Sequence, residues 1–373
     1  MQFEFSDEQL QIRDGVRRLL TDHDSIRATR TVMDGPESFD RALWHRLAEL
    51  GLIGVAIPED YGGAGAGQLE VCVIAEELGR GLAAVPFAST VLGADLLARH
   101  GTETQRQRYL PGIAAGETIV CIAFAEGRGN PHESRVGARM AGGLINGLKT
   151  PVLDGGIADV AILVAKNGDG VALTLLDLAE AGVKRSRLET IDPSRDQASL
   201  SFRDVPAEPL TGGWADFLAA MERAAIIGAF EQLGGAEAAL EMARGYALER
   251  HAFGRPIGSF QAIKHKLADM YVATALARSN CYYGAWALAT GTPDLAEAAA
   301  LARISATEAF QFCAKENIQI HGGFGFTWEL DCHLYYRRSN LLALTLGGLS
   351  HWQEKLITRL AAAPGVLETA VGF

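Results

Sequence analysis

The chain of 373 residues has few cysteines, and they are widely scattered. No C-x-x-C pair occurs among Cys72, Cys121, Cys281, Cys313 and Cys332. An odd, scattered set does not suit a disulfide framework, and reduced buried thiols are typical of cytosolic proteins. The histidines show no metal-ligand spacing either. The sequence therefore predicts free thiols and no metal site.

Long hydrophobic runs are also absent. No uncharged stretch of about 18 apolar residues occurs, so we expect no membrane span. The N-terminus, Met1-Gln-Phe-Glu-Phe-Ser-Asp-Glu8, carries acids and lacks the apolar core of a signal peptide. These features predict a cytoplasmic protein with no membrane partner.

Basic residues are outnumbered by acidic ones, which gives a net charge of −11. This balance argues against nucleic acid as a main partner, because a phosphate-binding face needs concentrated Lys and Arg. A nucleotide cofactor needs only one or two local cations, so it is not excluded. The glycine-rich run from Gly62 to Gly67 is not a G-x-G-x-x-G fingerprint, since Gln68 occupies the position of the last glycine.

Apolar residues make up 48% of the chain, enough for a sizeable core. Three regions differ in pattern, which predicts an α+β protein. Residues 1–117 read as an N-terminal α-helical domain, and residues 118–213 as a small antiparallel β domain with a tight hairpin at Asn146-Gly147. Long helices joined by short loops in residues 214–373 predict a C-terminal four-helix bundle.

Two segments near the C-terminus carry the most specific chemistry. They are Arg250-His-Ala-Phe-Gly-Arg-Pro-Ile-Gly-Ser-Phe-Gln261 and Gln319-Ile-His-Gly-Gly-Phe-Gly-Phe326. Arginine offers a planar fork of donors to a pyrophosphate, and bare glycines let backbone N–H groups approach a phosphate or ribose. For His321, inside the second segment, a structural or nucleotide-contacting role is favoured over a catalytic one.

Together these segments resemble the C-terminal signature of the acyl-CoA dehydrogenases. Further matches run along the chain, including Leu50–Gly63, Glu76–Gly79 and Leu267–Met270. The resemblance implies the acyl-CoA dehydrogenase fold, an acyl-CoA substrate, FAD and an electron-transfer flavoprotein or similar acceptor. In that family, the groups of these segments reach the FAD of a neighbouring subunit, so an oligomer is implied. The residues that the resemblance assigns to FAD are Arg250, Phe253, Gln261, Gln319, Gly322 and Gly323.

The catalytic carboxylate of the family has no counterpart that the sequence can identify. The usual position, within Tyr-Glu-Gly-Thr, is occupied here by Leu346, and the second known position falls near Ala224. Glu222 lies about 200° around a helix from Ala224, and Glu231 lies about two turns beyond it. The catalytic base is therefore unknown, with Glu222 and Glu126 as weak candidates.

The β domain also departs from the family pattern on the side that would face this chain's own flavin. Pro151 replaces a Trp, and Leu153 replaces a Thr, that line the flavin ring in the resembled proteins. The favoured hypothesis is therefore a subunit that resembles the base-lacking member of a heteromeric α2β2 acyl-CoA dehydrogenase, paired with a homologous subunit that bears the glutamate. Such enzymes act on bulky acyl-CoAs of sterol side chains.

Three alternatives stay open. One is a homo-oligomeric dehydrogenase with a displaced base. Another is a non-catalytic structural or regulatory protein. The third is a flavin oxidase or monooxygenase, because fold alone does not separate these activities. The sequence does not identify the acyl group, the subunit stoichiometry or the electron acceptor, or show whether this chain alone binds FAD.

Overall fold

The computed structural model describes residues 5–362. The predicted first and third domains extend beyond these limits, and residues 1–4 and 363–373 lie outside the described part of the chain. The N-terminal region consists of α-helices: α1 Asp7–Asp22, α2 Ser25–Asp34, α3 Arg41–Glu49, α4 Gln68–Arg80, α5 Phe87–His100 and α6 Glu103–Ala114.

The start of α1 illustrates why these segments are helical. The Ser6 side chain accepts a hydrogen bond from the backbone of Gln9, and the Gln9 side chain accepts one from the backbone of Ser6. This capping box satisfies two backbone donors that the first helical turn leaves free. Ser6 is therefore the N-cap of α1.

The middle region forms an eight-stranded sheet in the order β6-β7-β3-β2-β4-β5-β8, with β1 beside β4. The strands are β1 Val120–Ala123, β2 Arg139–Ala141, β3 Leu144–Leu153, β4 Val160–Asn167, β5 Gly170–Asp177, β6 Val183–Arg187, β7 Gln197–Pro206 and β8 Glu208–Gly213. The sheet is mixed rather than purely antiparallel, because β4 pairs in parallel with both β1 and β2.

The predicted hairpin turn at Asn146-Gly147 is wrong. Those residues lie inside β3, and the chain turns at Gly142-Gly143 between β2 and β3. Both turn glycines have positive φ angles, 57° and 77°, as the tight two-residue turns of β-hairpins require. The Asn-Gly pair instead marks an irregularity, since the register of β3 against β7 shifts between Ile145 and Gly147.

The C-terminal region is helical again: α7 Trp214–Glu249, α8 Gln261–Thr290, α9 Leu295–His321, α10 Cys332–Thr345 and α11 Leu349–Ala362. Helices α7 to α10 pack together as a four-helix bundle, and α11 packs against α9. A short hairpin, β9 His251–Ala252 and β10 Arg255–Pro256, connects α7 to α8. The predicted α+β architecture is confirmed.

Helices α4 and α7 cross at very close range, which joins the N-terminal region to the bundle. A Cβ atom on Gly79 would overlap the carbonyl oxygen of Glu231, and one on Gly234 would overlap that of Glu76. Small residues at both points therefore set the approach of the two helices. Within the described residues, no helix is both long and apolar enough to span a bilayer. The cytoplasmic location stays a prediction.

Candidate functional site

The Arg250 segment and the glycine segment meet in one open groove of about 500 Å³. The groove is formed where α7 and α9 end side by side. Its lining residues are Tyr246, Arg250, Ile257, Ile320, His321, Gly322, Gly323, Phe324 and Thr327. The structure therefore brings together three of the six residues predicted to bind FAD: Arg250, Gly322 and Gly323.

Local sequence explains why both helices end at this groove. Arg250 caps α7 with an extended backbone, and its N–H donates to the carbonyl of Tyr246. Helix α9 ends at His321 because Gly322 has a φ of 61°, a conformation that suits glycine. The next residues, Gly322–Phe326, form a short 3₁₀ turn that closes one side of the groove.

The groove fits part of an anionic dinucleotide. Arg250 is the charged residue of the lining, its side chain is exposed, and no ion pair engages it within residues 5–362. Cβ atoms built on Gly322 and Gly323 would project into open space with no neighbour within 4 Å. A ligand can therefore approach the backbone closely beside a free guanidinium, as a pyrophosphate site needs.

The other three predicted residues do not line this groove. The ring of Phe253 is 94% exposed and meets Phe260 edge-on, with ring centroids 6.2 Å apart. Gln261 and Gln319 are exposed at the start of α8 and near the end of α9. Their predicted roles stay predictions, because a single chain gives them no common ligand position.

Sequence reasoning missed an aromatic pair on the groove wall. Tyr246 and His321 stack with ring centroids 4.1 Å apart and 28° between their planes. The Tyr246 position could have been found, since a residue four before Arg250 lies one helical turn away on the same face. The position of His321 against it depends on how α9 packs against α7.

The two positions expected to carry a catalytic base lie together and are both apolar. Leu346 packs against the apolar cluster that contains Ala224. A Cβ atom on Gly228, one turn after Ala224, would lie 3.5 Å from Cδ1 of Leu346. No proton acceptor is therefore present at either position.

The candidate bases are engaged elsewhere. Glu222 pairs with Lys355 at 3.4 Å and Arg359 at 3.1 Å on α11. Glu126 accepts hydrogen bonds from Lys149 and from the backbone of Gly137 and Ala138. Burial alone would raise the pKa of Glu126, but the Ala138 N–H, the Lys149 ammonium and the Gly137 N–H hold that pKa below its ordinary value. A low pKa does not suit a general base for a weakly acidic proton.

Comparison with known proteins decides the family. A sequence model described as "Acyl-CoA dehydrogenase, N-terminal domain" matches residues 6–117, and its C-terminal counterpart matches residues 211–361. The acyl-CoA dehydrogenase IpdE2 of Mycolicibacterium smegmatis is 35% identical, over 92% of this chain and 95% of that protein. The acyl-CoA dehydrogenase FadE27 of Mycobacterium tuberculosis is 32% identical, over 88% and 90%. This chain belongs to the acyl-CoA dehydrogenase family.

Solved structures agree with the family fold. A variant of the Tcur3481-Tcur3483 steroid ACAD superposes with a TM-score of 0.88 at 33% identity, over 96% of this chain and 99% of that one. The ChsE4-ChsE5 complex from Mycobacterium tuberculosis gives 0.91 at 28% identity, over 98% and 100%. The acyl-CoA dehydrogenase fold expected from the sequence is confirmed.

A buried ion network lies deeper in this acyl-CoA dehydrogenase chain, where its three regions meet. Arg338 of α10, 1% exposed, donates to Asp192 at 2.6 Å and to Ser194 at 2.9 Å, and its guanidinium lies 3.5 Å from Glu231 of α7. Arg195 donates to the same Glu231 carboxylate at 2.7 Å.

The network also reaches the N-terminal region, because Arg338 donates to the carbonyl oxygens of Leu82 and Ala83. Glu231 lies on the same face of α7 as Ala224 and Gly228, two turns along from the apolar base position. Charged side chains thus fill the interior two turns along α7 from Ala224, and they hold the three regions together.

The chamber beside the end of β1 is small. It has a volume of about 40 Å³ and is lined by residues 124–132 together with Arg135, Val136, Trp214 and Phe217. A cavity needs about 10–15 Å³ of such volume to hold one water molecule, so this chamber has room for a few waters and not for a flavin ring. Within this chain, the groove at Arg250 fits part of a dinucleotide, whereas the chamber beside β1 is too small for the flavin ring.

Proposed function

We propose that this chain is the base-lacking subunit of a heteromeric acyl-CoA dehydrogenase. It completes the FAD site of a homologous subunit that bears the catalytic glutamate. The observation that carries the proposal is an asymmetry: the groove at Arg250 is intact, whereas Leu346 and Ala224 make both base positions apolar.

The reaction is the α,β-desaturation of an acyl-CoA thioester. A base removes the α-proton, and the chemistry that FAD, the cofactor of this family, would supply when bound is acceptance of the β-hydride. In this chain, the guanidinium of Arg250 would hold the pyrophosphate, and the backbone of Gly322 and Gly323 would contact the adenosine half. Gln261, Gln319 and Phe253 reach across the subunit boundary to the same cofactor.

Exposed aromatic rings support such a boundary. Phe253 is 94% exposed, Phe326 80%, Phe324 50% and Trp328 48%, and all lie on the segments that flank the groove. Large exposed apolar patches mark interaction sites, since their burial against a partner is favourable. A homologous subunit docked here would bury the rings and place its own FAD against Arg250.

The relatives support the substrate class. One matching structure is a steroid ACAD formed by two named subunits, and another is a complex of two proteins, ChsE4 and ChsE5. We therefore propose a bulky, steroid-derived acyl-CoA as substrate. The acceptor that the family resemblance implies is an electron-transfer flavoprotein or similar protein.

The test is to purify the chain alone and together with a homologue that carries the family glutamate. The proposal predicts little FAD and no dehydrogenase turnover from the chain alone, and a flavin-loaded active complex from the pair. Tight FAD binding and full turnover by the chain alone would rule the proposal out.

A further inference from the structure

The imidazole of His321 has one nitrogen committed and one available. Nδ1 lies 2.8 Å from the carbonyl oxygen of Asn317. A carbonyl oxygen only accepts, so Nδ1 carries the proton and Nε2 of the neutral ring carries a lone pair. Burial lowers the pKa of His321, with the Asn317 carbonyl opposing, so the ring is neutral at pH 7.

The ring is held in place by stacking and by burial. Tyr246 stacks on one face at 4.1 Å, and the His321 side chain is 5% exposed. Within the described residues, Nε2 has no hydrogen-bond partner, although the ring lines the groove. A fixed acceptor therefore belongs to the same groove lining as the Arg250 donors.

We infer that His321 Nε2 accepts a hydrogen bond from a hydroxyl or amino group of the nucleoside half of the dinucleotide, and so distinguishes that half from the pyrophosphate. The inference rests on the proposed function of the groove. Its physical basis is complementarity: Arg250 has only donors and suits phosphate oxygens, whereas a neutral Nε2 repels them and suits an N–H or O–H group.

The experiment uses the full chain in its native complex and measures dissociation constants for FAD and for competing ADP and pyrophosphate. His321→Phe keeps the ring stacked on Tyr246 but removes the acceptor. We expect it to weaken FAD and ADP binding roughly three- to tenfold, the effect of one neutral hydrogen bond, and to leave pyrophosphate unchanged. His321→Gln, which keeps an acceptor near the Nε2 position, should restore most of the affinity.

Arg250→Ala separates this inference from the proposed function. It should weaken all three ligands, pyrophosphate included. If Arg250→Ala weakens them but His321→Phe changes nothing, the groove binds the dinucleotide and the inference about His321 is wrong. If His321→Phe weakens pyrophosphate as much as ADP, the ring acts by packing and the inference is also wrong. If Arg250→Ala has no effect on any ligand, the proposed function itself fails.

Two analogues identify the donor. 2′-Deoxy-ADP lacks the ribose 2′-hydroxyl, and inosine diphosphate lacks the amino group of adenine. If His321→Phe does not weaken the binding of one analogue, the group that this analogue lacks is the donor to Nε2. If His321→Phe weakens the binding of both analogues, the donor is the ribose 3′-hydroxyl.

Discussion

The ammonium group of Lys149 lies 2.5 Å from Oε1 of Glu126. Lys149 is fully buried on β3, and Glu126 follows the end of β1, so this ion pair ties two neighbouring parts of the sheet together. A carboxylate held by a buried cation and two backbone N–H groups is a structural element here and not a catalytic base.

Glu126→Gln should therefore destabilise the protein without acting on the chemistry directly. It leaves the Lys149 ammonium buried without a counter-charge, which costs about 3 kcal/mol. Urea denaturation of the chain measures the loss of unfolding free energy. Glu133→Gln, a neighbouring exposed acid, is the matched control and should change stability little. If Glu126→Gln kept its stability while the complex lost turnover, Glu126 would be the catalytic base and this structural assignment would be wrong.

Leu346→Glu should not restore activity to the chain alone. A Cβ atom on Gly228 would lie 3.5 Å from Leu346 Cδ1 and 3.3 Å from a guanidinium nitrogen of Arg303, so a carboxylate at position 346 has a cation close by. Arg303 donates to Gln232 and to the Leu342 carbonyl but, within residues 5–362, pairs with no carboxylate. The new glutamate should pair with Arg303.

The matched variant is Leu346→Gln, which has the same shape but no charge. At pH 7, the free energy of unfolding measured in urea should be higher for Leu346→Glu than for Leu346→Gln by about 1 kcal/mol, the value of a charge-assisted hydrogen bond. The difference should decrease as the pH falls below about 4, because a carboxylate that pairs with Arg303 keeps its charge below the ordinary pKa of glutamate. Dehydrogenation of acyl-CoA by the Leu346→Glu chain alone would show that its own site is complete.

Arg338→Met tests the network that joins the three regions. Removing the guanidinium leaves Asp192 buried without its main partner, and breaking such a pair costs roughly 3–5 kcal/mol. Limited proteolysis should also become faster between the regions. Arg18→Met, at an exposed helical position, serves as the control and should leave both readouts unchanged. A stability loss no larger than that of the control would show that the network does not hold the regions together.

Asp154 predicts a pH dependence of stability. Burial raises the pKa of this carboxyl to about 6, although Arg195 and the Ser89 hydroxyl favour its ionised form. Because the folded state binds the proton more tightly than the unfolded state, stability should fall as pH rises from about 4 to about 6, by roughly 2–3 kcal/mol at this site. Urea denaturation across that range should show the slope. Asp154→Asn should remove it, and an equal slope in the variant would contradict the assignment.

Much of the fold was predictable because its signals are local. The capping box at Ser6, the β-branched strand runs and the long alanine-rich helices each depend on neighbouring residues. The parallel pairing of β4 with β1 and β2 was not predictable in this way, since it joins strands that are distant in sequence. The hairpin was misplaced because Asn146-Gly147 and Gly142-Gly143 both favour a turn, and only the register against β7 decides between them.

The candidate site likewise combines features that local sequence reveals with contacts that only the fold creates. The Arg250 and Gly322-Gly323 motifs were found from the sequence, because a short pattern carries their chemistry. Arg338 and Asp192 are 146 positions apart, and no spacing rule connects them. The same holds for Tyr246 and His321, whose stacking depends on the packing of α7 against α9.

The most direct test of the central claim is the FAD content of the complex formed by this chain and a glutamate-bearing homologue, with Arg250→Ala introduced only in this chain. The account predicts that FAD is lost and that turnover falls with it, while the two subunits still co-purify. A complex that keeps its full FAD content and activity after Arg250→Ala would contradict the account, because the preserved groove would then have no part in the partner's cofactor site.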